Sequence, residues 1–140
     1  MKGNATKISN LDITTFLMDH PDTNTLLDDY EFSPEQIRSA MTLIVDKWNE
    51  TRPPVGTYSI DSFPYRYHML VGTCSILLRS AAHKYRRNDL DYNIGGGAIN
   101  DQKKAAAYTA AAGALSAEFK EWMTREKNGL NMNQGWGFDW

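Results

Sequence analysis

A chain of 140 residues with 41% apolar and 23% charged content is the right size for one globular domain around one core, and too short for a two-domain enzyme. Its formal net charge of -2 and pI near 5.9 exclude the strongly basic balance of sequence-independent nucleic-acid binders, though not a local basic patch. No run reaches the ~18 apolar residues of a bilayer span, and the opening MKGNATKISN lacks the apolar stretch of a signal peptide, so a soluble protein made in a cytosol is expected.

In chain order, Asn10 precedes Leu11, Ile13, Phe16 and Leu17, which predicts a short helix ended by His20 and Pro21. Residues 22–32 hold at most one further turn around Leu26–Asp29. Ser33-Pro34-Glu35-Gln36 is a strong helix start, because the serine accepts from the amide three residues on, proline suits the first helical position and Gln36 reaches back. Ile37, Ala40, Met41, Ile44, Val45 and Trp48 then form one apolar stripe, and Thr51-Arg52-Pro53-Pro54 stops the helix. Residues 51–61 are too long and too rich in Pro and Gly for a tight helical hairpin, and Val55–Ile60 could pair as a short strand.

A third helix is expected from a cap at Asp61 or Ser62, with Pro64 in its first turn, to about Arg87. Its apolar positions are Phe63, Tyr67, Leu70, Val71, Cys74, Leu77, Leu78, Ala81 and Tyr85, a stripe wide enough for the central helix. Leu90, Tyr92 and Ile94 alternate with polar residues ahead of Gly95-Gly96-Gly97, a pattern that suits a β-hairpin arm or a loop. The fourth helix spans roughly residues 100–128, with Gly129 as its C-terminal cap. Its first half is smooth with alanine, including Ala107, Ala111 and Ala114, and its second half carries Phe119, Trp122 and Met123. The smooth half fits a tight contact within the chain or a packing face for a neighbouring copy. Beyond it, Asn131–Trp140 reads as an extended tail, in which Trp136, Phe138 and Trp140 would share one face. Three buried rings contribute roughly 11–19 kcal/mol at most, and ordering ten residues costs roughly 10–20 kcal/mol. Such a tail needs a ready groove, in another subunit, in a partner or in its own domain. The expected architecture is mainly α: a four-helix bundle over residues 1–130, with a short hairpin arm, and a docking arm over 131–140.

No constellation for catalysis emerges. Cys74 is the only cysteine and lies in an apolar helical stretch, as a buried, inert thiol does. His20, His68 and His83 show neither HExxH nor i, i+4 pairing, so no metal site is expected. The three glycines lack the Lys-Ser/Thr of a P-loop and the strand of a dinucleotide fold. Asp28, Asp29 and Glu31 cluster without an acid/base partner, as solvated loop acids do. Neither an enzyme nor a cofactor is expected.

Charge is distributed unevenly. Arg79, His83 and Arg87 recur at i, i+4, i+8 with Lys84 and Arg86 alongside, a basic stripe that complements the end of a helix. Residues 1–35 carry Asp12, Asp19, Asp22, Asp28, Asp29, Glu31 and Glu35 against Lys2 and Lys7. Acidic and basic surfaces on one chain could meet head to tail between copies and close a ring; contact with DNA phosphates is the other use of the stripe.

KWNETRPP at 47–54, FPYRYHMLVGTCSILLRSAAHKY at 63–85, RND with Tyr92 and GGG at 87–97, and K-N-G-L-N-x-N-x-G-W-G at 127–137 resemble small helical virion proteins of tailed bacteriophages that sit at the head-to-tail junction, the adaptor or neck proteins. The likeness spans roughly residues 30–137, and its motifs are broad ones. It implies a helical bundle in a homo-oligomeric ring, commonly of about twelve copies, placed between the portal and the tail or neck proteins of the virion. DNA would pass through the channel without sequence-specific contact. By resemblance Asn131, Trp136, Phe138 and Trp140 belong to a C-terminal arm that docks on the portal or a neighbour. Leu90, Tyr92 and Ile94 belong to a projecting loop, and Arg79, His83, Arg86, Arg87, Ala107, Ala111 and Ala114 are the expected subunit contacts. A small regulatory or DNA-associated helical binding module is the alternative.

Overall fold

The computed structural model describes the backbone of residues 8–19, 31–91 and 97–138, and within these the side chains of all but 88–91, 97–103 and 134–138. Among the described residues four helices run in order: α1 (Asn10–Leu17), α2 (Pro34–Glu50), α3 (Arg66–Asp91) and α4 (Gly97–Phe138). The protein is mainly helical, with no strand among the described residues.

Helix α1 is started by a capping box. Ser9 Oγ accepts from the Asp12 amide at 3.3 Å, and the Ser9 amide donates to the Asp12 carboxylate at 2.8 Å. The same carboxylate meets Arg66 at 2.8 Å, which ties α1 to the first turn of α3. Of the expected apolar set Ile13 is buried, whereas Leu11 and Phe16 are exposed. Positions 11 and 13 lie about 200° apart around a helix, so an eight-residue segment cannot bury both on one side. The helix ends at Met18, whose φ of 56° is left-handed, earlier than the proline signal indicated.

Asp19 then does structural work that its sequence context does not advertise. Its buried carboxylate accepts from the amides of Glu31 at 2.6 Å and Phe32 at 3.0 Å, and so holds together the two ends of residues 20–30. Glu31 in turn accepts from the hydroxyls of Tyr85 at 2.6 Å and Tyr108 at 3.0 Å.

Helix α2 matches its prediction closely. Ser33 and Gln36 close the capping box around Pro34, and the six apolar residues of the stripe are its buried residues. The segment after it is irregular instead of a strand. The Asn49 side chain makes the pair of backbone bonds that a neighbouring strand would have made, accepting from Tyr58 N and donating to Tyr58 O, both at 2.9 Å. Trp48 Nε1 donates to Gly56 O at 3.2 Å.

Helix α3 begins at Arg66, later than a cap at Asp61 or Ser62 would give. Residue Phe63 precedes proline and is therefore steered away from helical geometry; Ser59 and Ser62 instead close a turn, with the amides of Ser62 and Phe63 both donating to Ser59 O. The core face of α3 is as predicted except at Tyr67, which is exposed and donates to Glu118 at 3.1 Å. Met69, Thr73 and Ala82 join the interior. Helix α4 packs antiparallel along α3, with Arg86 against Thr109 at one end and Tyr65 against Glu126 at the other.

Two expectations about α4 are corrected. It does not stop at Gly129, because Leu130, one residue further, is itself packed against the core and draws the helix past the glycine. An exposed helical glycine costs only about 1 kcal/mol. The extended tail is replaced by helix as far as Phe138, a total of 42 residues or about 63 Å. The boundary expected between residues 130 and 131 falls inside an unbroken helix.

Candidate interaction surfaces

A shallow groove runs between the second half of α3 and the first half of α4. One bank is Arg79, His83 and Arg86; the other is Thr109, Ala112 and Gly113, and the space between is about 250 Å³. It exists because of what stands on each helix. Apart from Tyr108 and Leu115, residues 105–117 of α4 are small, so the bank at Thr109, Ala112 and Gly113 is low, while long arginines rise from α3. Arg79 reaches across to Ser116 Oγ at 3.4 Å and Arg86 to Thr109 Oγ at 2.7 Å. Neither guanidinium has a carboxylate within ion-pair distance among the described residues.

Two further cations, on other helices, belong to the same electrostatic neighbourhood. Lys47 on α2 feels both Arg79 and Lys120 of α4, and it is pushed below the usual lysine range, first by burial and then by repulsion from these two cations. Position 120 is one helical turn beyond Ser116, the residue that Arg79 reaches, so the antiparallel register of α3 and α4 puts it toward the Arg79 end of the groove. Lys47 could be found only from the packing of α2. Arg87 is exposed on α3, outside the groove lining.

Ala107, Ala111 and Ala114 are exposed on α4. Ala105 and Ala112 face inward and are buried, so the alanine segment makes the close contact within the chain and also leaves a smooth uncharged surface outside. No charged residue interrupts residues 105–117, a length of about 20 Å. A second exposed apolar set lies on α1, where Leu11 is 70%, Phe16 42% and Met18 66% exposed.

The proposed arms are placed only in part. Leu90 lies in α3, so a strand does not begin there, and Tyr92 and Ile94 are outside the described residues. Asn131 is exposed on α4, and the backbone at Trp136 and Phe138 is helical. Helical positions two apart differ by about 200°, so positions 136 and 138 do not share a face as they would in an extended chain. Trp140 is outside the described residues.

Groups with chemical potential are otherwise occupied. Cys74 is fully buried and burial pushes its thiol up to about 12. His68 stacks on Trp122 with ring centroids 3.9 Å apart, and burial lowers its pKa against the opposing pull of Glu118 and Glu126. His83 lines the groove, and His20 is outside the described residues. Asp28 and Asp29 also lie outside them, while Glu31 is bonded to two tyrosines instead of standing in solvent. Gly97 opens α4, and Gly95 and Gly96 are outside the described residues. Among the described residues no three His, Cys, Asp or Glu side chains group as a metal site, and no helix is long and apolar enough to cross a membrane.

The described surface offers a basic groove, an exposed alanine face on α4 and exposed apolar residues at α1. No known protein family, curated protein or solved structure matches the chain, so any functional reading rests on those surfaces and on the residues of the sequence itself.

Proposed function

We propose that this chain is a structural virion protein of a tailed bacteriophage, a ring-forming adaptor between portal and tail that leaves a channel for DNA. The observation that carries the reading is the outward face of α4, where exposed Ala107, Ala111 and Ala114 stand in an uncharged strip. A strip about 20 Å long and 10 Å wide covers roughly 200 Å², a quarter of the ~800 Å² that each partner contributes to a stable interface. Other surface must therefore join it. A ring built head to tail uses two different patches on each copy, and in this reading exposed Leu11 on α1 and Met18 just past its end supply the second.

The helical extension of α4 is the part that fits the role of a docking arm. Among the described residues Leu130 is the last of α4 packed against the core, and Asn131, Met132 and Asn133 are exposed while the helix continues to Phe138. Portal or neck proteins are the receivers in this reading, and residues 131–140 are the fastening. The charge pairing foreseen between the acidic N-terminal stretch and the basic stripe is weakened as a ring contact, since Asp12, Asp19 and Glu31 are engaged within the chain.

The test uses two variants, one blocked at each patch: Ala111→Glu with Ala114→Glu, and Leu11→Glu with Met18→Glu. Native mass spectrometry and negative-stain imaging of the full chain, alone and with candidate neck components, should show rings for the parent and monomers for each variant. Mixing the two variants should give dimers and nothing larger, because one good pair of patches survives. A parent that stays monomeric under all of these conditions would overturn the ring. A ring that forms after removal of residues 131–140 but no longer attaches to its neighbour would assign the fastening to the arm.

A further inference from the structure

We propose that the groove between α3 and α4 binds the phosphate backbone of a nucleic acid, with Arg79, Arg86, Lys120 and Lys47 supplying charge and Thr109 and Gly113 the low opposite bank. The inference holds whether or not the chain forms a ring.

Geometry comes first. Arg79 and Arg86 are seven residues apart on α3, about 10.5 Å along the axis, and Lys120 lies about 6 Å beyond Ser116, the residue that Arg79 reaches. The row of cations is therefore about 16 Å long, and one strand of B-DNA presents a phosphate every ~3.4 Å of axis. A row of that length is matched to a run of several phosphates rather than to one small anion.

Charge gives the second argument. Like charges are brought together here: Arg79 and Lys120 act on Lys47, and among the described residues the groups bonded to Arg79 and Arg86 are the neutral hydroxyls of Ser116 and Thr109. On α4, Glu118 accepts from the Tyr67 hydroxyl and Glu121 lies 3.8 Å from Arg125, both on exposed surface. Each hydroxyl bond involves a single Nη2, and the remaining guanidinium N–H groups are available to phosphate oxygens. A protein surface carries such a concentration of uncompensated charge at a cost in self-repulsion, and a polyanion removes that cost.

A carboxylate-bearing segment of a second copy is the competing occupant. Three of the acids on which it would draw are engaged within the chain, Asp12 with Arg66, Asp19 with two backbone amides and Glu31 with two tyrosines, while Glu35 stands exposed on α2. The length of the cation row favours phosphate.

The experiment is fluorescence anisotropy of a labelled, mixed-sequence DNA duplex titrated with the full chain, from about 20 to 200 mM salt. The logarithm of the affinity should fall linearly with the logarithm of salt, and each of Arg79→Gln, Arg86→Gln and Lys120→Gln should reduce the slope by about 0.9. Arg38→Gln and Arg125→Gln, exposed cations away from the groove, should leave it unchanged. Circular dichroism checks that every variant keeps its helices. Absence of binding at the lowest salt would overturn the proposal, as would equal losses from the control substitutions. Binding of poly-glutamate that is lost in the groove variants, with duplex affinity unchanged, would also overturn it and assign the groove to an acidic protein partner.

Discussion

Gly72 of α3 brings its backbone against the ring of Phe119 of α4: a Cβ at position 72 would stand 2.9 Å from Phe119 Cδ1, and 2.8 Å from Ile44 Cδ1 on α2. Three helices therefore meet at the one point where there is no side chain. Ile44 and Phe119 are both almost fully buried, so neither has free space to retreat into. Gly72→Ala sets two effects against each other. Better helix propensity contributes about 1 kcal/mol in its favour, and overpacking costs about 1–3 kcal/mol. The overpacking should win, lowering the melting temperature, while Gly129→Ala, which meets nothing within 4 Å, should raise stability by about 0.5–1 kcal/mol. Thermal melts of both variants check this, and an equal gain at the two positions would show that α3 and α4 can move apart freely.

Glu31 offers a second prediction, because one carboxylate serves two tyrosines from different helices. Tyr85 and Tyr108 lie with ring centroids 5.7 Å apart, and Lys104 Nζ sits 4.5 Å from the Tyr85 centroid and 5.9 Å from that of Tyr108. Hydrogen bonds to a charged group contribute about 1.5–3 kcal/mol each. Glu31→Ala should therefore destabilise by about 2–4 kcal/mol, and Glu31→Gln, which keeps an acceptor, by less. Adding Tyr108→Phe to Glu31→Ala should cost little more, since the hydroxyl has already lost its acceptor. Full additivity in that double-mutant cycle would mean that the bond contributes nothing.

Much of the fold can be read from local chemistry where that chemistry is complete within a few residues. The Ser33–Gln36 box and the stripe from Ile37 to Trp48 are of this kind, and they correspond to α2 residue by residue. What could not be read depends on partners far along the chain. Asn49 replaces a strand only because Tyr58 returns to it, and Gly129 fails to end α4 only because Leu130 finds the core. The groove shows the same division. Arg79 and His83 are visible as part of a stripe whose third member, Arg87, lies outside the groove while Arg86 lines it, and the effect of Arg79 and Lys120 on Lys47 depends on the packing of three helices.

Asp12 predicts how stability responds to acid. Its carboxyl is held below the ordinary value of 3.8, chiefly by the Ser9 amide, with the Ser9 hydroxyl and Arg66 adding to the shift against a smaller opposing effect of burial. The depressed value means that the contribution is fully present above about pH 3.8 and is lost as pH falls through the lower folded-state value. Arg66 is half exposed, so solvent screens much of that pair and the capping box is the larger part. Asp12→Asn should cost about 1 kcal/mol near neutral pH, and the difference from the parent should shrink toward pH 2. Melts across that range check it; a gap that stays constant with pH would exclude the charge as its source.

Lys127 is the most deeply buried cation described, with no exposed surface, and it holds the irregular segment after α2. Its ammonium donates to the carbonyls of Thr51 and of Pro53, the latter at 3.1 Å, and lies 4.9 Å from the Trp48 ring centroid. Burial lowers its pKa, as expected for a charge held by carbonyls and an aromatic face instead of by a carboxylate. Lys127→Met keeps most of the apolar stem and removes the donors, so the cost is that of two charge-assisted bonds, reduced because Thr51 and Pro53 are half exposed and water can reach them. The expected loss is about 1–3 kcal/mol, with faster hydrogen exchange at the Tyr58 amide that Asn49 protects and a shift in Trp48 fluorescence. Lys127→Arg should fare worse than methionine, because the wider guanidinium must fit where the lysine side chain has no exposed surface. A methionine variant as stable as the parent, with unchanged exchange at Tyr58, would show that the segment is held by Asn49 and Trp48 alone.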